Sequence, residues 1–385
     1  MQVLASEEQR LLHQTVREFA REELRPHAAV WDREGRFPSE LVPRLAALGL
    51  LGMTIPVEHG GSGLPATAIA TAIEALAWGD GGVALSVAAH NSLCSGHLAA
   101  FADEAQRRRF LPRLAGGEAL GVWCLTEPGA GSDAAALQTK AERRGDRWVL
   151  NGTKVFATNG SIGGIYVVMA VTSPGAGRGG ITAFVVERGA PGLEIGKKDD
   201  KLGVRSSDTA EVRFVDCTIP EENHVGELGD GYRQAMRTLE RGRVGIAAMA
   251  VGIGRAALDA SLEYAQQRQA FGRPIAALQA IQFMLADMAT ELDAAWLLTQ
   301  HAAEAADRGE PFRREASMAK LYASEAAARA ATKAVQIHGG YGFTKDYPVE
   351  RFYRDVKLCE IGEGTSEVQR AIIARSILDA AGGAR

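Results

Sequence analysis

The spacing of hydrophobic residues divides the chain into three parts. In the first part, apolar residues recur at helical spacing between charged ones, as at Leu12, Val16 and Phe19. The same pattern predicts helices over 40–51, 67–78, 83–101 and 107–114, the last a short basic segment with a solvated face. A glycine-rich stretch at 58–63 predicts a loop. We therefore expect an all-helical domain over 1–120.

The hydrophobic period changes from helical to strand-like at about Gly121. Short runs of β-branched and aromatic residues at 155–158, 165–171, 181–187 and 211–215 are separated by Gly, Pro, Asn and Asp. The pair Asn151-Gly152 is the strongest short signal for a hairpin turn. Because no long helical pattern lies between these runs, we expect an antiparallel β domain over 121–228, not a parallel nucleotide-binding sheet.

The helical period returns after about Gly229 and continues to the end. Helices are predicted over 231–269, 313–337 and 367–380, and a further long helix carries the apolar stripe Ile281, Met284, Met288 and Leu292. Long helices with short links favour an antiparallel bundle, here over 229–385. The expected fold is thus α+β and mostly α: a helical domain, an antiparallel β domain and a C-terminal four-helix bundle.

Composition and charge exclude several classes of protein. The 385 residues carry a net charge of −4, which gives no general attraction to nucleic acid or to an anionic membrane. The four cysteines are far apart and form no C-x-x-C, so neither a metal site nor a disulfide framework is predicted. No signal peptide and no run of 18 apolar residues is visible, and we expect a cytoplasmic protein.

One motif is misleading. Residues 252–257 fit the pattern G-x-G-x-x-A, which in dinucleotide-binding folds follows a strand and opens a helix. Here the motif lies within an Ala-rich helical run, so its small residues indicate close helix packing. We therefore predict no NAD site there.

Two other segments are candidates for chemistry. Residues 123–133 begin apolar and end in a Gly-Ala-Gly-Ser loop, whose exposed N–H groups suit a phosphate or a flat polar ring; a simple surface turn is the alternative. In the second segment, Ser366-x-x-Gln369 is a capping-box pattern that opens the last helix. Glu363 precedes this pattern and has two interpretations. Its carboxylate is held on a tight turn and points into a cleft, or the residue merely stabilises the N-terminus of the helix.

The chain resembles the acyl-CoA dehydrogenase family nearly from end to end, and most closely its short-chain members. The resemblance rests on five segments in their order and spacing, 125–133, 150–154, 268–272, 336–342 and 363–366. It implies a homotetramer that uses FAD to oxidise acyl-CoA thioesters to trans-2-enoyl-CoA and passes electrons to an electron-transferring flavoprotein. β-Oxidation and branched-chain amino acid catabolism are the pathways it implies.

The resemblance also implies roles for individual residues. Glu363 would be the base that removes the α-proton while hydride leaves for flavin N5, and Gly242 occupies the position where a subset of the family carries its base. The implied substrate contacts are Ser132, Glu240, Arg243, Gly364 and Arg375. The implied contacts to the chain's own FAD are Trp123, Leu125, Thr126, Gly131, Ser132, Phe156, Thr158, Thr365 and Ser366. The adenine half of a neighbouring subunit's FAD would be held by Arg268, Phe271, Gln279, Gln336 and Gly340, with Gly339 beside them.

The sequence departs from the family pattern at two positions and leaves other functions open. Phe156 stands where many relatives have Trp. Gly362 stands where many have Tyr, and the missing ring at Gly362 predicts room for a branched or bulky acyl group. An acyl-CoA oxidase that uses O2 is the alternative on the same scaffold. A flavin monooxygenase is disfavoured by the presence of Glu363, and a DNA-binding damage-response relative by the net charge of −4. Acyl chain length and the physiological acceptor stay open.

Overall fold

A computed structural model describes residues 6–382. The N-terminal part is helical, as predicted. Its α-helices are α1 (Glu7–Phe19), α2 (Ala28–Glu34), α3 (Val42–Ala47), α4 (Ala66–Gly79), α5 (Gly81–Ala88), α6 (Gly96–Phe101) and α7 (Glu104–Ala115). Ser6 and Gln9 form a capping box that starts α1.

Two of the predicted helices differ from those observed. The segment 83–101 is not one α-helix, because a buried π-helical stretch, Ala89–Ser95, separates α5 from α6. The helix predicted over 40–51 is shorter, since α3 ends at Ala47 and Gly49 adopts a left-handed φ of 71°. The π-helical stretch brings Leu93 against the centre of the molecule, where it becomes part of the site described below.

The middle part is one mixed sheet. Its strands are β1 (Gly121–Cys124), β2 (Lys140–Arg144), β3 (Arg147–Thr158), β4 (Ile165–Val171), β5 (Ile181–Glu187), β6 (Leu193–Lys198), β7 (Thr209–Pro220) and β8 (His224–Val225). The order is β6-β7-β3-β2-β4-β5-β8, with β1 beside β4. The pairing is mainly antiparallel, as predicted, but β1 and β2 each pair with β4 in parallel.

The hairpin predicted at Asn151-Gly152 is wrong. Both residues lie within β3, and the chain instead turns between β2 and β3 at Gly145, whose φ is 65°. The register of β3 against β7 shifts between Leu150 and Gly152, which marks a bulge. A Cβ on Gly152 would lie 2.4 Å from Thr139 Oγ1, so close packing of the bulge explains the glycine.

The C-terminal part is a helical bundle. It contains α8 (Gly231–Gln267), α9 (Gln279–Asp307), α10 (Arg313–His338), α11 (Val349–Ile361) and α12 (Ser366–Ala380), and a small hairpin of β9 (Gln269–Ala270) and β10 (Arg273–Pro274) joins α8 to α9. The helix α11 was not predicted. One hydrophobic core runs from α1 and α4 through α8 into α10 and α11. The N-terminal and C-terminal helices therefore form one packed body around α8.

The helix α8 is the central element. It is long and apolar enough to cross a membrane by length and composition, but its most apolar 18-residue window, with a mean hydropathy of 1.3, is 83% buried inside the protein. Its G-x-G-x-x-A motif serves packing, as predicted: a Cβ on Gly252 would lie 2.3 Å from the Glu74 carbonyl oxygen. A Cβ on Gly254 would lie 2.4 Å from Leu292 Cδ2.

Candidate active site

Glu363 lies on a tight turn between α11 and α12. Glu363 and Gly364 are consecutive left-handed residues, with φ of 54° and 97°. Because a glutamate rarely adopts this backbone, the surrounding structure must hold it there. The expected capping box of Ser366 and Gln369 is wrong: Thr365 is the N-cap, and its Oγ1 accepts from the Val368 N–H at 3.3 Å. The Gln369 side chain instead donates to the Gly364 carbonyl at 2.9 Å.

The carboxylate of Glu363 points at Gly242, in the N-terminal third of α8. Its Oε2 atom is buried and has no hydrogen-bond partner among the described residues. A Cβ on Gly242 would lie only 1.9 Å from this oxygen, and 3.0 Å from Leu93 Cδ2. Burial raises the pKa of Glu363 to about 7, although the charges of Arg243 and Lys320 oppose the rise. A carboxylate with these properties can exchange a proton near neutral pH.

Arg243 of α8 lies near this carboxylate, and Glu240 of the same helix lies near Arg243. Arg243 is buried, and its Nε and Nη1 have no partner within residues 6–382. Its charge acts on both Glu240 and Glu363. Burial raises the pKa of Glu240, which lies 3.8 Å from the guanidinium of Arg313. Unpaired buried N–H groups beside an acidic residue are available for a polar ligand.

A buried ion pair holds the glycine-rich loop after β1. Lys154 is fully buried in β3, and its Nζ donates to Glu127 Oε1 at 2.7 Å and to the Leu125 carbonyl at 3.0 Å. The Glu127 carboxylate also accepts from the N–H groups of Gln138 and Thr139. Burial alone would raise the pKa of Glu127, but Lys154 keeps it below its usual value. Both residues lie inside motifs of the resemblance, yet sequence reasoning gave them no role.

The fixed loop places several predicted cofactor residues together. The Val155 N–H donates to the Thr126 carbonyl at 2.9 Å, so the loop lies along the end of β3. The next residue, Phe156, has a φ of 57° at a second register shift and leaves 68% of its surface exposed. The backbone at Gly129 and Gly131 faces open space. The bulge thus turns an aromatic ring outward beside an uncovered loop.

These features fit a flavin dinucleotide. An exposed aromatic ring can cover a flat heterocycle, and open glycine N–H groups can approach a phosphate. The buried Trp123 Nε1 has no partner within residues 6–382, which leaves a donor for such a ligand. A groove of about 780 Å³ between α10 and α11 reaches Thr365 and Ser366, but the 123–132 loop and Phe156 do not line it. Leu125 is buried, Thr158 is half-buried and Ser132 is exposed.

A second predicted group lies elsewhere on the same chain. The residues Arg268, Phe271, Gln279, Gln336, Gly339 and Gly340 are all exposed. The Arg268 guanidinium lies 5.7 Å from the Tyr341 ring, so the ends of α8 and α10 adjoin. Along α10, Gln336 is 16 residues, about 24 Å, from Lys320, which contacts the Glu363 turn. One chain therefore does not bring this group to Glu363. Arg375 is likewise exposed, on α12.

Sequence comparison identifies the three parts of the chain. The acyl-CoA dehydrogenase N-terminal domain matches residues 6–118, the middle domain 123–217 and the C-terminal domain 229–378. The mitochondrial short-chain specific acyl-CoA dehydrogenase of Rattus norvegicus is 46% identical over 97% of this chain and 90% of its own.

Solved structures agree with the sequence comparison. Butyryl-CoA dehydrogenase from Megasphaera elsdenii superposes with a TM-score of 0.95 at 42% identity, covering 97% of this chain and 99% of its own. A chain from the study of the electron transferring flavoprotein of Acidaminococcus fermentans and flavin-based electron bifurcation gives a TM-score of 0.96 at 42% identity. That match covers 98% of this chain and 100% of the other.

Proposed function

The chain belongs to the acyl-CoA dehydrogenase family, an FAD-dependent family of enzymes, and we propose that it converts a short or short-branched acyl-CoA to the trans-2-enoyl-CoA with Glu363 as the base. One observation carries this proposal. The Glu363 carboxylate is held on a left-handed turn against Gly242, with a buried, unpaired oxygen and a pKa raised by burial to about 7.

The protein groups around Glu363 have separate tasks. Ionised Glu363 removes the α-proton, and its raised pKa makes it a stronger base than an exposed carboxylate. Its backbone N–H is the proposed donor to the thioester oxygen, which gains charge as the proton leaves. FAD, when bound, supplies the acceptor for the β-hydrogen and its electron pair. The residues that would hold it are those of the 123–132 loop with Phe156, Thr158, Thr365 and Ser366.

The substrate class follows from space near the base. A Cβ on Gly362 would meet only ordinary contacts, the nearest being the Leu358 carbonyl oxygen at 3.4 Å. The absence of a side chain there leaves room for a branch on the acyl group. On the other side, Leu93 closes in on Gly242, which supports a short chain. Glu240 is the proposed contact on the CoA side and Arg243 a substrate contact near the base. Ser132, Gly364 and Arg375 are the other proposed substrate contacts.

The proposed electron acceptor is an electron-transferring flavoprotein. The structural similarity to a chain from the Acidaminococcus study of such a flavoprotein supports this choice. We also propose that FAD lies between subunits of a homotetramer, because the exposed group around Arg268 and Phe271 cannot reach Glu363 of its own chain. Phe271 leaves 90% of its surface exposed in the single chain, which supports a covering partner. The cytoplasmic location stays a prediction.

The decisive experiment is anaerobic reduction of the purified, FAD-loaded enzyme. Straight and branched acyl-CoAs of four to sixteen carbons should bleach the flavin absorbance, with the shortest most effective. Glu363→Gln should keep FAD and lose bleaching, while Glu58→Gln, which removes an exposed acid of the N-terminal part, should bleach normally. Bleaching by Glu363→Gln at the wild-type rate would overturn the assignment. Turnover in air with a matching yield of peroxide would instead indicate an oxidase.

A further inference from the structure

Within the described part of the bundle, Lys320 is the one fully buried lysine, and it contacts the Glu363 turn. It lies on α10 with a fully buried side chain, and its Nζ donates to the Gly364 carbonyl at 2.7 Å. A buried ammonium gains little from one neutral acceptor relative to its lost hydration, so a nearby negative charge is needed to balance it. The Glu363 carboxylate interacts electrostatically with Lys320 and is such a charge.

The other titratable groups around Lys320 do not replace Glu363 as its counter-charge or Lys320 as the cation at the turn. Cys359 of α11 is neutral near pH 7, because burial raises the pKa of its thiol to about 12. Glu360 accepts from Lys357 Nζ at 2.5 Å. Arg243 of α8 also acts on Glu240, so its charge is divided between two carboxylates. Lys320 is therefore the cation whose interactions converge on the turn.

The same turn receives a second, neutral donor. Gln369 is fully buried, and its Nε2 donates to the carbonyls of Gly364 at 2.9 Å and Glu363 at 3.4 Å. A Cβ on Gly364 would lie 2.6 Å from this nitrogen, so the donor is packed directly against the turn. Lys320 and Gln369 thus hold one carbonyl from two helices, and only Lys320 brings a charge.

We propose that Lys320 is a positioning residue for the base: its ammonium fixes the left-handed Glu363-Gly364 turn and its positive charge favours the carboxylate form of Glu363. This inference rests on the proposed function of Glu363. Burial lowers the pKa of Lys320 to about 8, so the ammonium is present at pH 7. Loss of its charge removes one of the two cations that oppose protonation of the base.

The test separates charge from hydrogen bonding at Lys320. Lys320→Gln keeps a donor without charge, Lys320→Met removes both, and Lys320→Arg keeps the charge. Gln369→Leu removes only the neutral donor, and Lys140→Met removes an exposed lysine of the β domain. For each FAD-loaded variant, kcat and KM for butyryl-CoA are measured between pH 6 and 9.

The expected result is a shift of the pH profile. In both neutral Lys320 variants the pH midpoint of kcat/KM should rise by about one unit, with kcat at pH 7 reduced more than KM is changed. Lys320→Arg should restore the midpoint, and Gln369→Leu should lower kcat without moving it. If Lys320→Met does not fold, Lys320→Gln carries the same prediction. A midpoint in Lys320→Gln equal to that of Lys140→Met would overturn the proposal.

A second readout does not depend on turnover. The infrared band of the protonated Glu363 carboxyl can be assigned by its loss in Glu363→Gln and titrated directly. Its midpoint should be about one unit higher in Lys320→Gln than in wild type. An enzyme without acyl-CoA activity that still showed this shift would reject the proposed function and keep the electrostatic role of Lys320. An active enzyme whose band midpoint is the same in Lys320→Gln and wild type would support the proposed function and overturn the electrostatic role of Lys320.

Discussion

Glu363 and Gly242 share one small space: the Oε2 atom of Glu363 lies 1.9 Å from where a Cβ of residue 242 would be. Any side chain at 242 would therefore have to displace the carboxylate. The two positions cannot both carry side chains in this arrangement, which gives a physical reason why the base stands at 363 in a chain with glycine at 242. It also gives the most direct test of the site.

Gly242→Ala should lower kcat about 100-fold with FAD retained, because displacing a reacting group by about 1 Å has an effect of that size. The backbone at 242 is helical, so alanine adds no strain there. Gly245→Ala is the matched control on the same helix, since its Cβ would meet Ser92 Oγ at an ordinary 3.6 Å. Equal activity of the two variants would show that the carboxylate is not held where the structure places it.

Glu363→Gln should stabilise the FAD-loaded protein at pH 8 but not at pH 4.5. The pKa of Glu363 is raised from 4.5 to about 7 on folding, so ionising the buried carboxyl disfavours the native state. That destabilisation is absent below the pKa of the carboxyl in the unfolded state and complete above its pKa in the folded state. Melting temperatures of both proteins at the two pH values measure it. A difference in Tm that does not change with pH would contradict the raised pKa.

Lys154→Met should release the loop that Glu127 anchors. Removing one partner of a buried ion pair leaves an uncompensated charge, which typically destabilises a protein by about 3–5 kcal/mol. We expect a lower urea midpoint and less FAD per subunit. The double variant with Glu127→Gln should recover part of the stability, because no unpaired carboxylate is left. Lys140→Met, an exposed lysine on neighbouring β2, is the control and should match wild type.

Gly362→Tyr should narrow the range of substrates without unfolding the enzyme. The residue has an ordinary extended φ of −66°, and its Cβ would meet nothing closer than 3.4 Å. A ring there would fill the space proposed for a branch. The ratio of kcat/KM for isobutyryl-CoA to that for butyryl-CoA should fall about tenfold, the lower end of the discrimination that one methylene gives in a hydrophobic pocket. An unchanged ratio would place the branch elsewhere.

Predictions from local sequence patterns were wrong at two places where a long-range contact competed with the local preference. Asn151-Gly152 has the composition of a hairpin turn, but Gly152 is needed for its close approach to Thr139, and the chain turns at Gly145 instead. Ser366 and Gln369 have the spacing of a capping box, but Thr365 takes the N-cap and Gln369 turns back to the Gly364 carbonyl. In both places a long-range contact outweighed a local preference.

The sequence by itself determined the order of helical and β parts, because hydrophobic periodicity records which face of each element is buried. Its ordered motifs also pointed to the family and to Glu363. The tertiary structure decided what surrounds that glutamate. Gly242 lies 121 residues before Glu363 and Lys320 lies 43 before it, and no local pattern couples such distant positions. Only packing of α8, α10 and α12 brings the open glycine and the buried ammonium to one carboxylate.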